Sequence, residues 1–443
     1  MLRHFVFGLG LMSATLLSHS ALAEAQRTLQ IVISKTAQSM TVYDGEAVVA
    51  TSRVSTGKSG HTTPSGIFSI LEKRKYHESN IYSNAPMPFM QRLTWSGIAL
   101  HEGHVPNYPA SHGCVRIPPA FAKTLFGMTE RGVHVVVSDA PVEPIRIEHV
   151  NLFAPLKPLQ TEPLLSDIDL RPTVKRKTSA PYEVAMNSAE QTPDMTITSS
   201  ISGRDRAPIK ILVHRRGERE TVADVQDLLN YLGFDAGTPD GITGSRTREA
   251  IAAFKRWKGL PANGPRLSEE FLATLYRASG KEQPPVGQLL VRQNFEPLFE
   301  AAIGVREPQT PLGTHFFTAS DVDPMREKAE WHAMTLPNVM TAAEMGRFGI
   351  SSEANPSSAT AALDRLEIPT DVRERIATLM SDGTSLTITD QGLGPETGKG
   401  TDFVTLTRSR AELAEARPAT VQKKPAKPRR SSIRSYRNGI GLY

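Results

Sequence analysis

The chain has 443 residues, 39% of them apolar, which suggests about two to four domains with real cores. A net charge of +5 excludes the strongly basic composition of a chain built throughout to bind nucleic acid. The single cysteine, Cys114, excludes a disulfide within the chain and leaves that thiol either inert or reactive.

The N-terminus, "MLRHFVFGLGLMSATLLSHSALAEAQ", places a lone Arg3 before an apolar run from Phe5 to Leu17, then the small residues Ala21 and Ala23. This is the pattern of an export signal over 1–23, cleaved after Ala23. The run falls short of the roughly 20 apolar residues that span a bilayer, and no second run follows, so no transmembrane segment is expected after cleavage. With no cysteine at the cleavage site, a lipoprotein is not expected either. The expected location is the periplasm or cell envelope.

Residues 27–55 alternate with period two, Ile31 and Ile33 against Gln30, Val32 and Ser34, then turn at Asp44-Gly45, which predicts a hairpin. "TGKSGHTTPSGIFSI" reads as a loop before another strand. Beyond the cysteine, Phe121, Leu125 and Met128 fall at helical spacing, Gly132 stops the helix, and "VHVVVSD" closes as a β-branched strand. The first domain is therefore a mostly β unit with one helix over 27–140. Residues 141–208 turn rich in Ser, Thr, Pro and charge and read as a linker, largely disordered.

From 218 to 278 the periodicity becomes helical. Val222, Val225, Leu229 and Leu232 share one face, Gly233 ends that helix, and a loop turns at Asp240-Gly241. Thr247 is read as the cap of a second helix with Ile251 and Phe254 inward, and a third runs from Ser268 to Arg277. This small all-α three-helix unit, with its Asp-Gly-x-x-Gly-x-x-Thr run, resembles the peptidoglycan-binding-like domain.

Residues 285–392 repeat the first domain. "GVREPQTPLGTHFF" from Gly304 lies on "GKSGHTTPSGIFSI" from Gly57 without a gap, and "RLEIPTDVRERIATLMSDGTSLTITD" from Arg365 lies on "CVRIPPAFAKTLFGMTERGVHVVVSD" from Cys114. In this second, β-rich copy Arg365 replaces Cys114, Leu363 replaces His112 and Asp364 replaces Gly113, so it is expected to keep the fold and lose the chemistry. The tail, 408–443, carries seven basic and no acidic residues from Lys423 onward and reads as a disordered arm.

The chemistry gathers in "ALHEGHVPNYPASHGCVR", residues 99–116. A thiol is a useful nucleophile as its thiolate, favoured by a nearby cation, base or helix N-terminus. A helix starting near Pro118-Pro119 would bring its positive end towards Cys114. Gly113 lets the chain turn tightly enough for backbone N–H groups to face an oxyanion. His112 shares a side of extended chain with Cys114, and His101, ending a strand-like run, is placed to serve as base. Three other readings of these residues stand beside this one: an inert core thiol, a zinc site from His101, His104, His112 and Cys114, and Ser111 as nucleophile with His112.

"SHGCVR", with the upstream "ALHEG" and "TPSGIF", resembles the signature of the L,D-transpeptidase (YkuD-like) catalytic domain. The resemblance implies a cysteine enzyme that needs no cofactor and no metal and acts on peptidoglycan tetrapeptide stems. It forms an acyl-enzyme, releases D-alanine and passes the stem to an acceptor amine as a 3-3 crosslink. Cys114 would be nucleophile, with His101 as general base and proton donor. Gly113 and Cys114 N–H groups would form the oxyanion hole, Ser111 and His112 would orient or stabilise, and Arg116 would hold substrate. His104 is a second candidate base, Tyr82 a candidate substrate contact, and the "MPFMQRL" run after it a candidate groove lining. The helical unit would hold the cell-wall polymer and, on a flexible linker, raise effective concentration. No nucleic-acid partner is expected. The same fold would also serve an L,D-carboxypeptidase or endopeptidase or a protein-to-peptidoglycan ligase, and a non-catalytic wall-binding scaffold is the alternative of another class.

Overall fold

The computed structural model describes residues 28–79, 84–158, 207–281, 284–351 and 358–415. The expected leader, Tyr82, most of the expected linker and the tail beyond 415 lie outside them.

The first domain begins with a meander, β1 (Leu29–Ser34), β2 (Ser39–Asp44) and β3 (Ala47–Arg53), followed by β4 (Gly66–Ser69). Four short strands form a separate sheet: β5 (Glu72–Arg74), β6 (Met90–Arg92), β7 (Ala99–Glu102) and β8 (Val115–Ile117). Helix α1 (Pro119–Met128) then leads to β9 (His134–Ser138), which pairs parallel to β1, Gln30 opposite His134. Helix α1 and the small sheet lie over one face of the main sheet, where Ile31, Ile33, Phe68, Val135, Leu100, Val115 and Leu125 share a core.

Beyond 140 the chain does not become linker at once. Strand β10 (Ile145–Ile147) pairs with a strand of the second sheet, and Phe153 is buried there, its carbonyl accepting from Trp331 Nε1 at 2.9 Å.

Strand β11 (Lys210–Arg215) comes next, and then three helices, α2 (Glu218–Tyr231), α3 (Ser245–Lys258) and α4 (Glu269–Ala278), around Val225, Leu229, Ile251, Phe254, Phe271 and Leu275. Gly233, at φ +89°, ends α2 as expected. In the loop Asp240 Oδ1 accepts from Ile242 N, and a Cβ at Gly241 would sit 2.5 Å from Arg219. Thr247 is not the cap, because α3 starts at Ser245 after Gly244; its buried hydroxyl donates to Ala236 O and closes the loop onto the helix.

The second sheet continues with β12 (Gly287–Gln293), β13 (Glu296–Val305), β14 (Thr314–Asp323) and β15 (Lys328–Leu336). Helices α5 (Ala342–Arg347) and α6 (Ala359–Asp364), strand β16 (Leu366–Glu367), helix α7 (Thr370–Ala377) and strand β17 (Ser385–Thr389) follow. Strand β18 (Thr405–Leu406) lies just before the expected tail, and helix α8 (Arg410–Glu415), which ends the described chain, falls inside it, so the first residues of that tail are helical rather than disordered.

The two sheets share a topology. The first runs β18-β4-β9-β1-β2-β3, and the second contains β14-β17-β11-β12-β13 with the same parallel and antiparallel senses. Lys210 faces Ser385 where Gln30 faces His134. At the end of each parallel pair a cation meets an aspartate, Lys35–Asp139 at 2.8 Å and Arg215–Asp390 at 2.6 Å. The repeated sheet therefore includes β11, which precedes the helices, and α2–α4 occupy the connection between β11 and β12 where the first sheet has the tight turn 35–38. The match from Arg365 agrees with this pairing. The match from Gly304 slips by two positions, since His315, not Gly313, faces β17 as Gly66 faces β9.

The sheets also pack face to face. Val32, Ile67 and Val136 meet Phe316, Met334 and Leu336, each burial contributing about 1.5–3 kcal/mol. His134 Nε2 lies 2.9 Å from both Ser385 Oγ and Lys210 Nζ. Strands are traded across the junction: β10 follows the first domain yet pairs with β15, while β18 follows the second copy yet pairs with β4.

Candidate active site

Strands β7 and β8 pair parallel, with Leu100 opposite Val115 and His101 opposite Arg116. Because side chains alternate along a strand, Leu100, Val115 and Ile117 enter the core while Ala99, His101, Cys114 and Arg116 face the other way. There they line a cleft of about 690 Å³.

The turn before Cys114 is tied from several sides. Thr56 O accepts from Ala110 N and Ser111 N, and Ser55 pairs with Arg116. The Ser111 hydroxyl, itself buried, donates to Cys114 O at 2.5 Å and accepts from Gly113 N at 3.1 Å. Thr63 Oγ1 accepts from Gly57 N at 2.9 Å and donates to Gly113 O at 2.7 Å. Gly113 takes φ +122°, and a Cβ there would press on Ile98 at 3.0 Å, so the turn needs glycine. Ser111 thus holds the turn that carries Cys114, with its hydroxyl engaged by backbone on both sides.

His101 is buried, and its Nδ1 lies 2.7 Å from Glu102 O, so Nδ1 carries the proton and Nε2 is the acceptor. Burial, helped by the Arg116 charge and opposed by the Glu102 bond, lowers its pKa to about 4, leaving the ring neutral at pH 7. Cys114 Sγ donates to Gly97 O at 3.4 Å. Burial raises its pKa, while the Ala99 N–H and the charges of Arg116 and Arg92 pull the other way. The expected lowering of the thiol pKa is therefore corrected: desolvation outweighs the cations. The helix offers little here, because α1 starts at Pro119 and the extended strand β8 separates it from the sulfur, beyond the first-turn reach of the dipole.

His112 also lines the cleft but is exposed, its ring edge-on to His61 with centroids 4.9 Å apart. His104 is exposed and outside the lining. Among the described residues no three His, Cys, Asp or Glu side chains gather as a metal-ligand set, so the histidines around Cys114 do not converge as the zinc reading needs. Of the run after Tyr82, Met87, Met90 and Arg92 line the cleft, whereas Phe89 packs with Phe126.

The sequence reading missed His77 and named Arg92 only as part of a run. Arg92 Nε donates to Glu72 at 2.9 Å, its guanidinium lies 5.5 Å from the exposed Trp95 ring, and His77 Nε2 is 3.4 Å from it. Thr63 was quoted within the TPSG run, and nothing local tells that its hydroxyl supports Gly113.

Residues 29–137 match the model of the L,D-transpeptidase catalytic domain, and residues 218–266 match the putative peptidoglycan binding domain. The likeness to the L,D-transpeptidase catalytic domain thus falls on the first domain. Similar solved structures include L,D-transpeptidases from Mycobacterium smegmatis, 23% identical over 25% of this chain and 59% of that one at a TM-score of 0.24, and from Stackebrandtia nassauensis, 26% identical over 27% and 60% at 0.24. Another, from Xylanimonas cellulosilytica, is 26% identical over 26% of this chain and 62% of that one, with a TM-score of 0.23. The chain thus spans less than two-thirds of each. None of the curated proteins matches it. The L,D-transpeptidase match takes in the small sheet and the cleft, and the peptidoglycan-binding match falls on α2, α3 and the loop beyond. No described helix is long and apolar enough to cross a membrane.

Proposed function

We propose that the protein is an exported cysteine L,D-transpeptidase of the cell envelope that makes 3-3 crosslinks between peptidoglycan stems. The observation that carries this reading is the meeting of Cys114 with a neutral His101 in one cleft flanked by Arg92 and Arg116. On binding of a tetrapeptide stem, His101 Nε2 takes the thiol proton as Cys114 sulfur attacks the carbonyl of the third residue. The Cys114 N–H receives the oxyanion, joined by the Gly113 N–H as it leaves Ser111. The C–N bond breaks, His101 returns the proton to the departing D-alanine, and a thioester remains. An acceptor amine on another stem then attacks the thioester carbonyl and His101 accepts its proton; the new C–N bond forms as the C–S bond breaks, and His101 returns the proton to the Cys114 sulfur. Arg116 and Arg92 suit a substrate carboxylate. His112, at the rim, orients the stem, and Tyr82 is a further contact. The helical unit holds the wall polymer.

The neutral thiol and neutral imidazole support proton transfer coupled to attack, with no standing ion pair. The test is intact mass after incubation with a disaccharide tetrapeptide, wild type beside Cys114→Ala. An adduct lacking D-alanine on the wild type alone is expected, and product masses separate crosslinking from hydrolysis or attachment of a protein. Binding to wall material without adduct or product overturns the enzyme reading in favour of a scaffold.

A further inference from the structure

The matched catalytic domain ends at 137, yet its sheet is completed by residues from the far end of the chain. Strand β18 adds to the edge of β4, Thr405 opposite Ile67 and Leu406 opposite Gly66, and Val404 is buried in the core of the first domain. Gly66 allows this approach: at φ +152° a Cβ would stand 2.2 Å from Thr405 O.

The strap grips one residue twice. Thr407 N donates to Ser65 O at 3.0 Å, and the Ser65 hydroxyl donates to Glu412 Oε1 at 3.1 Å. Lys35 donates to the same Glu412 oxygen and pairs with Asp139. Burial alone would raise the Asp139 pKa, but its bonds from Lys35 and Ser409 bring it below the usual carboxylate range. Ser409 and Glu412 cap each other's backbone N–H groups, fixing the start of α8. Pro64 joins Ser65 to Thr63 with its ring-locked φ, and Thr63 is the residue that holds Gly113 O.

We propose that Glu412 is a positioning residue for the nucleophile: it and β18 hold the Ser65–Thr63 loop, which in turn holds the turn carrying Cys114. The site is complete only when the C-terminal end of the chain is docked on the first domain. The inference builds on the proposed transpeptidation, and its consequence for the thiol does not depend on that reaction.

The experiment uses full-length Glu412→Ala, Glu412→Gln and Ser65→Ala beside wild type, with three readouts: thermal unfolding, acyl-enzyme formation on the tetrapeptide, and the pH dependence of Cys114 alkylation by iodoacetamide. Glu412→Ala is expected to slow acylation at saturating tetrapeptide about ten-fold, as misplaced reacting groups do, with little change in half-saturation. Its alkylation profile should shift, and Glu412→Gln, which still accepts from Ser65, should recover most of both. Ser65→Ala severs the link with the strap otherwise in place and should behave like Glu412→Ala. Wild-type acylation and alkylation in both alanine variants, or a loss that follows only the unfolded fraction, overturns the proposal. If the wild type forms no adduct, transpeptidation fails while alkylation still decides the strap.

Discussion

At the scale of single residues, the cleft pairs two groups that burial holds in their neutral forms. His101 and Cys114 are both desolvated, which favours the uncharged form of each. Cys114 alkylation should therefore rise with pH through a midpoint above that of an ordinary thiol, and Arg116→Met should push it higher still. A midpoint near neutrality would refute this account of the thiol. The Ser-His-Gly-Cys order and the upstream histidine were legible because strand alternation sets which side chains share a face, and alternation is visible in the sequence. The support under the turn was not, because Thr63 and Gly113 meet only when β4 and β8 are folded. Nor was the sign of the thiol shift, since burial depends on what the rest of the chain stacks over the site.

Among the elements, the position of the helical unit matters most. It is held at both ends within the second sheet, by β11 and β12, and Arg216 fastens its start with bonds of 2.6 and 2.8 Å to Asp224. The helical unit is thus a module inserted in a hairpin of the second sheet. Replacing 216–286 with a tight turn like that of the first copy should leave the second sheet folded and acylation intact while abolishing wall binding, a cosedimentation measurement. Loss of the folded sheet would show that the insertion is structural. In the second copy Arg365 fills the place of Cys114, its guanidinium donating to Glu307, Thr310 and Pro311 carbonyls, and buried Arg215 pairs with Asp390. Asp390 also accepts from Leu312 N and Gly313 N, so Asp390→Ala strands a buried cation and should cost about 3–5 kcal/mol, read from denaturant unfolding. The sequence suggested that this copy lacks the thiol; that arginine braces the same loop appears only in three dimensions.

For the molecule as a whole, buried histidines set the response to acid. Burial lowers the pKa of His101, His134, His214, His315 and His332. Each binds a proton more readily unfolded than folded, so the stability it confers is complete above about pH 6.5 and is lost as pH falls towards its folded value. For His101, from 6.5 to about 4, this amounts to roughly 3 kcal/mol. The melting temperature should therefore drop steadily between pH 6.5 and 4, and His101→Gln should flatten part of that fall. A melting curve insensitive to pH in this range would contradict the neutral-imidazole assignment.

By itself, the sequence determined the mostly β first domain, the three-helix unit, the repeat and the stretch of histidines around Cys114. Each rests on local periodicity, turn residues or short motifs that are complete within a few neighbouring positions. Tertiary structure alone decided the rest. Gln30, Val32 and Ser34 alternate as though facing solvent, yet they are buried because part of that face of β1 lies under the second sheet. The placement of β11 before the helices, the trading of β10 and β18 and the strap over Ser65 are pairings between segments far apart in the chain. A strand's own residues specify which of its faces is apolar, but the partner that covers each face and edge is chosen by what the whole chain brings beside it.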